Sequence, residues 1–146
     1  MQLTSFTDFG LRALMRLAAS PDRMLSVAEI ADEYGISRNH LAKSMALLAR
    51  AGFITTRRGG GGGALLARPA DQIRLGDVVW VLSAQVPLVD CFRADGGTCI
   101  LCGRCALRGR LAGARAAFID KLNESTLADI ALPPRPAPPD VRRATA

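Results

Sequence analysis

Four cysteines fall close together in the second half of the chain: Cys91, Cys99, Cys102 and Cys105, separated by seven, two and two residues in LVDCFRADGGTCILCGRCALRG. The amino terminus, MQLTSFTDFGLRAL, has no cationic stretch followed by an uninterrupted apolar one, and no apolar run reaches membrane-spanning length. The expectation is therefore a cytoplasmic chain with no membrane partner, whose thiols stay reduced rather than pairing as disulfides. Clustered reduced thiolates point to a soft-metal site. Four of them can close a tetrahedral zinc site. The same set, or three cysteines with a different fourth ligand, suits an iron-sulfur cluster of the [4Fe-4S] or [2Fe-2S] type. Spacing alone leaves these alternatives open. His40 is the only histidine and sits in a polar stretch far from the cysteines, which makes it a weak metal candidate.

The elements that must position these thiols are mainly helical. Between residues 6 and 18, Phe6, Phe9, Ala13, Leu14, Leu17 and Ala18 recur at three- and four-residue spacings, the mark of an amphipathic helix. Ser5 and Asp8 read as its capping signal and Pro21 as its stop. In SVAEIADEYGISRNHLAKSMALLARAG, Ser26 and Glu29 form a capping box ahead of Val27, Ile30 and Ala31. Gly35 supplies the left-handed turn, Ile36 plugs back into the core, and Ser37 caps a second helix carrying Leu41, Met45 and Leu48. This is a helix-turn-helix pattern. FITTRR, five glycines at 59 to 63 and ALLAR then read as strand, turn and strand, which makes a wing.

A recognition helix meets base edges and phosphates through its first residues, here Ser37, Arg38, Asn39 and His40, with Lys43 one turn on. Arg57, Arg58 and Arg68 flank the wing and are placed to reach phosphates or the minor groove. The alternative for each arginine is a solvated basic hairpin. Beyond Pro69, IRLGDVVWVLS suggests a short strand and a helix from near Asp77, with Val78, Val79, Val81 and Leu82 inward and Trp80 at a helix or subunit boundary. Residues 84 to 104 lack periodicity. From Cys105 onward Leu107, Leu111, Ala114, Phe118 and Leu122 recur over about five turns, giving one long helix with one apolar stripe. So short a chain has little left to cover that stripe, so we expect it to pack against a second copy. Thr126 and Asp129 cap a last turn bearing Leu127 and Ile130.

The expected organisation is a winged helix-turn-helix unit over 1–83, a cluster-binding loop over 84–104, a dimerisation helix and cap over 105–132, and a Pro-rich disordered tail over 133–146. The fold class is mainly α with a small β wing. Composition agrees: the chain has 146 residues, only 5% of them aromatic, so the core must rest on Leu, Ala, Ile and Val. A formal net charge of +6 suits a polyanionic partner. An enzyme is disfavoured, because no histidine other than His40 and no paired carboxylates stand beside a nucleophile, and the glycine run lacks the Lys-Ser/Thr of a phosphate loop.

Taken together, MQLTSFTDFGLRAL, SRNHLAK, the RGG-containing wing, IRLGDVV, LVDC and TLADI resemble, in that order, the NsrR family of nitric-oxide-sensing repressors. That family lies within the Rrf class of winged-helix iron-sulfur regulators. The resemblance spans about residues 1 to 132. It implies a homodimer that binds double-stranded operator DNA at an inverted repeat and senses nitric oxide through an iron-sulfur cluster near the dimer interface. It carries three ligating cysteines onto Cys91, Cys99 and Cys105. In some members an aspartate near the start of the first helix, given by the other subunit, is the fourth ligand; that position is Asp8, which the bare sequence also reads as a cap acid. Cys102 departs from the pattern, as a spare thiol or as a replacement for Asp8. The related regulator of iron-sulfur cluster biogenesis has a histidine ligand three residues after its last cysteine. Arg108 occupies that position here and cannot ligate.

Overall fold

The computed structural model describes residues 3–59, 61–84, 86–101 and 103–132. The proposed tail and Cys102 lie outside these residues. Among those described, five helices and one two-stranded sheet follow in the order α1 (Ser5–Ala18), α2 (Val27–Tyr34), α3 (Arg38–Arg50), β1 (Ile54–Arg57), β2 (Gly63–Leu66), α4 (Leu75–Ser83) and α5 (Ala106–Asn123), with short 3-10 turns at Ala70–Gln72, Asp90–Phe92 and Leu127–Ile130.

The amphipathic spacing of α1 does what it implies: Ala13, Leu14 and Leu17 are buried, and the helix packs on α3 and α4. Its cap is Thr4 rather than Ser5, with the Thr4 hydroxyl accepting from the Thr7 amide at 3.3 Å. The helix starts one residue earlier than expected because Thr7 is itself buried, its hydroxyl within 3.2 Å of Thr4 Oγ1 and 3.4 Å of Ser83 Oγ. Ser26 and Glu29 form the expected box: each side chain accepts from the other residue's amide, at 2.8 and 3.1 Å. Gly35 ends α2 at φ 63°, a left-handed geometry that glycine adopts without a Cβ penalty. The turn then delivers Ser37 as the cap of α3.

Leu41, Ser44, Met45 and Leu48 anchor α3 in the core. Ser44 is tolerated there because its hydroxyl donates to the Phe6 carbonyl at 2.9 Å, leaving no unpaired buried group. The wing is antiparallel in the register Ile54↔Leu66 to Arg57↔Gly63. Leu25, ahead of α2, bonds both ways with Ala64, at 3.1 and 2.9 Å, and so fixes the wing to the helix-turn-helix. Leu14, Leu17, Leu25, Ile30, Leu41, Leu48, Ile73, Leu82 and Leu127 are almost fully buried. Each contributes roughly 1.5–3 kcal/mol of burial.

The stretch after Pro69 departs from expectation. No strand forms at Ile73–Arg74; Arg74 makes only an isolated bridge to Thr126. The neighbouring segment 125–127 takes up the backbone groups, with Leu75 N donating to Ser125 O and Leu127 N to Ile73 O. Helix α4 starts at Leu75, two residues before Asp77, and Asn123 from the end of α5 accepts from the Asp77 amide at 3.1 Å. Val78, Val79 and Leu82 are buried, Val81 only partly. Trp80 is 49% exposed at the α4–α5 boundary, under the guanidinium of Arg115 at 4.2 Å from its ring centroid. Helix α5 runs where expected, but none of its residues is buried: Leu111, Phe118 and Leu122 are half-covered, Ala114 is exposed and Leu107 is 62% exposed. The Thr126–Asp129 box that follows forms as expected.

Candidate functional site

Two surfaces carry the residues singled out by the sequence. The first is the free face of α3. With Leu41, Met45 and Leu48 turned inward, Ser37, Arg38, Asn39, His40 and Lys43 all lie exposed, and the Ser37 hydroxyl accepts from the His40 amide at 3.5 Å. Arg38 is already engaged. Its Nε and Nη2 donate to both carboxylate oxygens of Asp32 on α2, at 3.2, 2.9 and 2.7 Å. A planar fork held this way is preoriented, and an exposed pair of this kind costs only about 0–1 kcal/mol to break.

Beside α3, Arg57 and Arg58 project from the wing, and Arg57 Nη2 donates to the Gly61 carbonyl at 3.4 Å. Arg68 differs from its partners: its guanidinium lies over the Phe53 ring, 5.2 Å from the centroid, at the base of the wing. Arg57, Arg58 and Arg68 are all exposed, as are the cationic side chains Arg38 and Lys43 of α3.

The second surface is the cysteine segment. Cys91 sits in the 3-10 turn Asp90–Phe92, Cys99 in irregular chain, and Cys105 at the N-cap of α5. All three are free and half-buried. Arg93 forks onto Asp95 at 3.0 and 2.9 Å, and this bond, with the Gly97 amide, holds the Asp95 carboxyl below its ordinary range. Asp90 accepts from the Thr98 amide at 2.6 Å and from the Thr98 hydroxyl at 3.3 Å. Cys105 also opens on a cleft of about 480 Å³ lined by Trp80, Phe92, Arg108 and Arg115.

As donors, three reduced, half-buried thiols suit a soft metal or an iron-sulfur cluster. As geometry, the lone chain does not complete such a site: among the described residues no group of three or more His, Cys, Asp or Glu side chains converges on one point. Asp8 lies in the first turn of α1, and its carboxylate accepts from Arg12 Nε at 2.9 Å. It stands where a cap acid would, and within this chain it is not grouped with the cysteines. His40 is likewise apart from them.

Sequence reasoning missed Asp32 and Asp90. The first carried no local signal, since the turn between α2 and α3 is what brings it to Arg38. The second did carry one: an aspartate in a glycine-rich segment is well suited to accept a nearby backbone amide.

A helix-turn-helix whose second helix offers a polar, basic face beside a two-stranded wing defines a winged-helix transcriptional regulator. Over residues 3–132 the chain matches the Rrf2 family, described as "Iron-dependent Transcriptional regulator", and it belongs to that family. Members regulate transcription by binding DNA and are not enzymes. Among solved structures it is similar to CymR (YrzC), the global cysteine regulator of B. subtilis, at 25% identity and a TM-score of 0.69, covering 90% of this chain and 96% of that one. It is also similar to CymR of Staphylococcus aureus, at 27% identity and a TM-score of 0.65, covering 88% of this chain and 96% of that one. T. potens IscR shares the fold at 24% identity and a TM-score of 0.68, covering 89% and 85%. No described helix is long and apolar enough to cross a membrane.

Proposed function

We propose that the chain is a nitric-oxide-responsive repressor that binds operator DNA as a homodimer and senses through an iron-sulfur cluster of the [4Fe-4S] type. The observation that carries this reading is the placing of three free thiols, Cys91, Cys99 and Cys105, on the segment that leads into α5, a helix none of whose residues is fully buried in the lone chain. Ile100 is 92% exposed, and Leu101 and Leu107 are exposed beside it. Apolar surface of this kind, next to incomplete metal ligation, is what a second copy would cover while donating a missing ligand. Asp8, on the surface near the start of α1, is the carboxylate that resemblance assigns to that role.

When bound, the cluster supplies iron, to which nitric oxide binds readily. The chain's own residues do the rest. Ligated thiols hold segment 84–104 in one arrangement, and Cys105 passes that order to the first turn of α5. Helix α5 packs on α4, which packs on α1 and α3, so the spacing between two recognition helices in a dimer depends on the cysteine segment. Released thiols loosen the segment and with it the operator spacing. In the DNA-bound form Arg38 and Asn39 read base edges, Ser37, His40 and Lys43 position the helix, and Arg57, Arg58 and Arg68 contact phosphates.

The test is operator binding by anaerobically purified protein, with the operator selected from a random duplex pool, before and after a nitric oxide donor. Loss of binding on exposure supports the reading. Binding unchanged by nitric oxide but lost on chelation of the iron would instead support a regulator of iron, cluster supply or redox state, a second reading favoured by the description of the matched family as iron-dependent.

A further inference from the structure

We propose that Asp90 is a positioning residue that closes the loop between Cys91 and Cys99, so that the first two thiols of the segment share one site before any ligand arrives. The inference rests on reading these cysteines as partners in soft-metal binding. Asp90 directly precedes Cys91, and Thr98 directly precedes Cys99. Asp90 Oδ2 accepts from both the amide and the hydroxyl of Thr98, at 2.6 and 3.3 Å, so the chain returns on itself with each cysteine directly following one of the two clasped residues, Cys91 as the first residue inside the loop and Cys99 as the first beyond it. Gly97 completes the closure. At φ +61° its backbone lies against Asp90, where a Cβ would overlap the Asp90 carbonyl and stand 2.6 Å from Oδ2.

Arg93 faces the other carboxylate oxygen at 3.8 Å while forking onto Asp95, so the cationic side chain nearest the clasp is itself engaged. Seven residues separate the two cysteines, and an open loop of that length leaves its ends to meet by chance. A charge-assisted bond to a backbone amide, supplemented by a hydroxyl, removes much of that search before binding. Asp90 touches neither the metal nor DNA in this account. It acts through the two thiols.

The experiment has two arms. In the first, metal-free protein carrying Cys102→Ser and Cys105→Ser, which leaves only Cys91 and Cys99, is equilibrated in glutathione buffers. Oxidised glutathione takes two electrons from the pair, forming one disulfide and two glutathione thiols, and the equilibrium gives the pair's effective concentration. Adding Asp90→Ala should lower that value about tenfold, the loss expected of one charge-assisted hydrogen bond. Asp90→Asn, whose carboxamide oxygen still accepts, should recover most of it, and Thr98→Ala, which keeps the amide, should lie between. In the second arm, protein with all four cysteines is titrated with cadmium(II), followed by thiolate-to-metal charge-transfer absorption. Asp90→Ala should bind about tenfold more weakly, at an unchanged melting temperature.

An effective concentration unaffected by Asp90→Ala, or lowered as much by Asp90→Asn, overturns the proposal. If wild type fails to bind cadmium, the soft-metal reading falls while the first arm still judges Asp90.

Discussion

Gly76 lies where the first turn of α4 meets the last turn of α5, and replacing it with alanine tests whether that joint holds the molecule together as described. A Cβ at this position would overlap the Ile119 carbonyl oxygen and stand 2.5 Å from Asn123 Oδ1. Neither can move freely. The Ile119 oxygen is backbone, and the Asn123 carboxamide accepts from the Asp77 amide at 3.1 Å and donates to Asp77 Oδ1 at 3.2 Å. Alanine gains about 1 kcal/mol in helix propensity over glycine. Against that, overpacking costs about 1–3 kcal/mol, and displacing Asn123 costs about 2 kcal/mol for two hydrogen bonds. The net is a destabilisation of about 2–4 kcal/mol, which for a domain of this size lowers the melting temperature by roughly 5–15 °C. Thermal unfolding followed by far-UV circular dichroism, at one protein concentration so that association does not shift the midpoint, measures it. Asn123→Ala, which removes the bonds without the overlap, should fall between the two. A Gly76→Ala protein that melts at or above wild type would refute the reasoning, since propensity would then outweigh a contact that the fold cannot relieve.

At the recognition face, Arg38→Ala should lower operator affinity by about tenfold or more while leaving random-duplex affinity much less changed, the pattern expected of a bidentate base contact. Arg57→Ala should weaken both duplexes alike and flatten the salt dependence by about one ion; equal losses for both variants on both duplexes would remove the division of labour. Asp32→Asn should raise random-duplex affinity, because it releases the Arg38 fork and removes an anion from the DNA-facing surface; an unchanged affinity would show that the pair does not restrain Arg38. The Glu29 carboxyl is held below its ordinary 4.5 by the Ser26 amide, then by the Ser26 side chain and Arg23. Its contribution to stability is therefore present in full above pH 4.5 and is lost as pH falls through the depressed value. Glu29→Gln should flatten the acid limb of a stability-against-pH curve, and an identical limb would sink that assignment.

Much of the winged unit was legible because its signals are local. A capping box, a left-handed glycine and a cap at Ser37 specify the helix-turn-helix from residues within a few positions of one another, and the glycine run between ITTR and GALL specifies the wing. The misreadings came where distant residues decide. Thr4 displaced Ser5 as the cap because Thr7 packs beside Ser83, seventy-six residues away. Ile73 and Arg74 looked like strand, yet the segment at 125–127 offers only a single bridge and Asn123 favours an early start to α4. For the candidate site, cysteine type and spacing were plain, whereas the Asp90–Thr98 clasp was invisible, since it depends on how seven intervening residues fold back. The long helix forms where its spacing placed it, yet its apolar residues gather on no buried face: in the lone chain none of them is buried, and Leu107 and Ala114 lie exposed.

The central claim is that two copies of this chain hold an iron-sulfur cluster with Cys91, Cys99 and Cys105 of one and Asp8 of the other. Native mass spectrometry of anaerobically purified wild type, Asp8→Ala and Cys102→Ala proteins tests it most directly, because one mass reports metal, cluster and dimer together. The expected result is a dimer carrying a four-iron, four-sulfide mass per subunit, disturbed by Asp8→Ala and indifferent to Cys102→Ala. A zinc mass, a metal-free monomer, or a cluster lost only with Cys102 would contradict it.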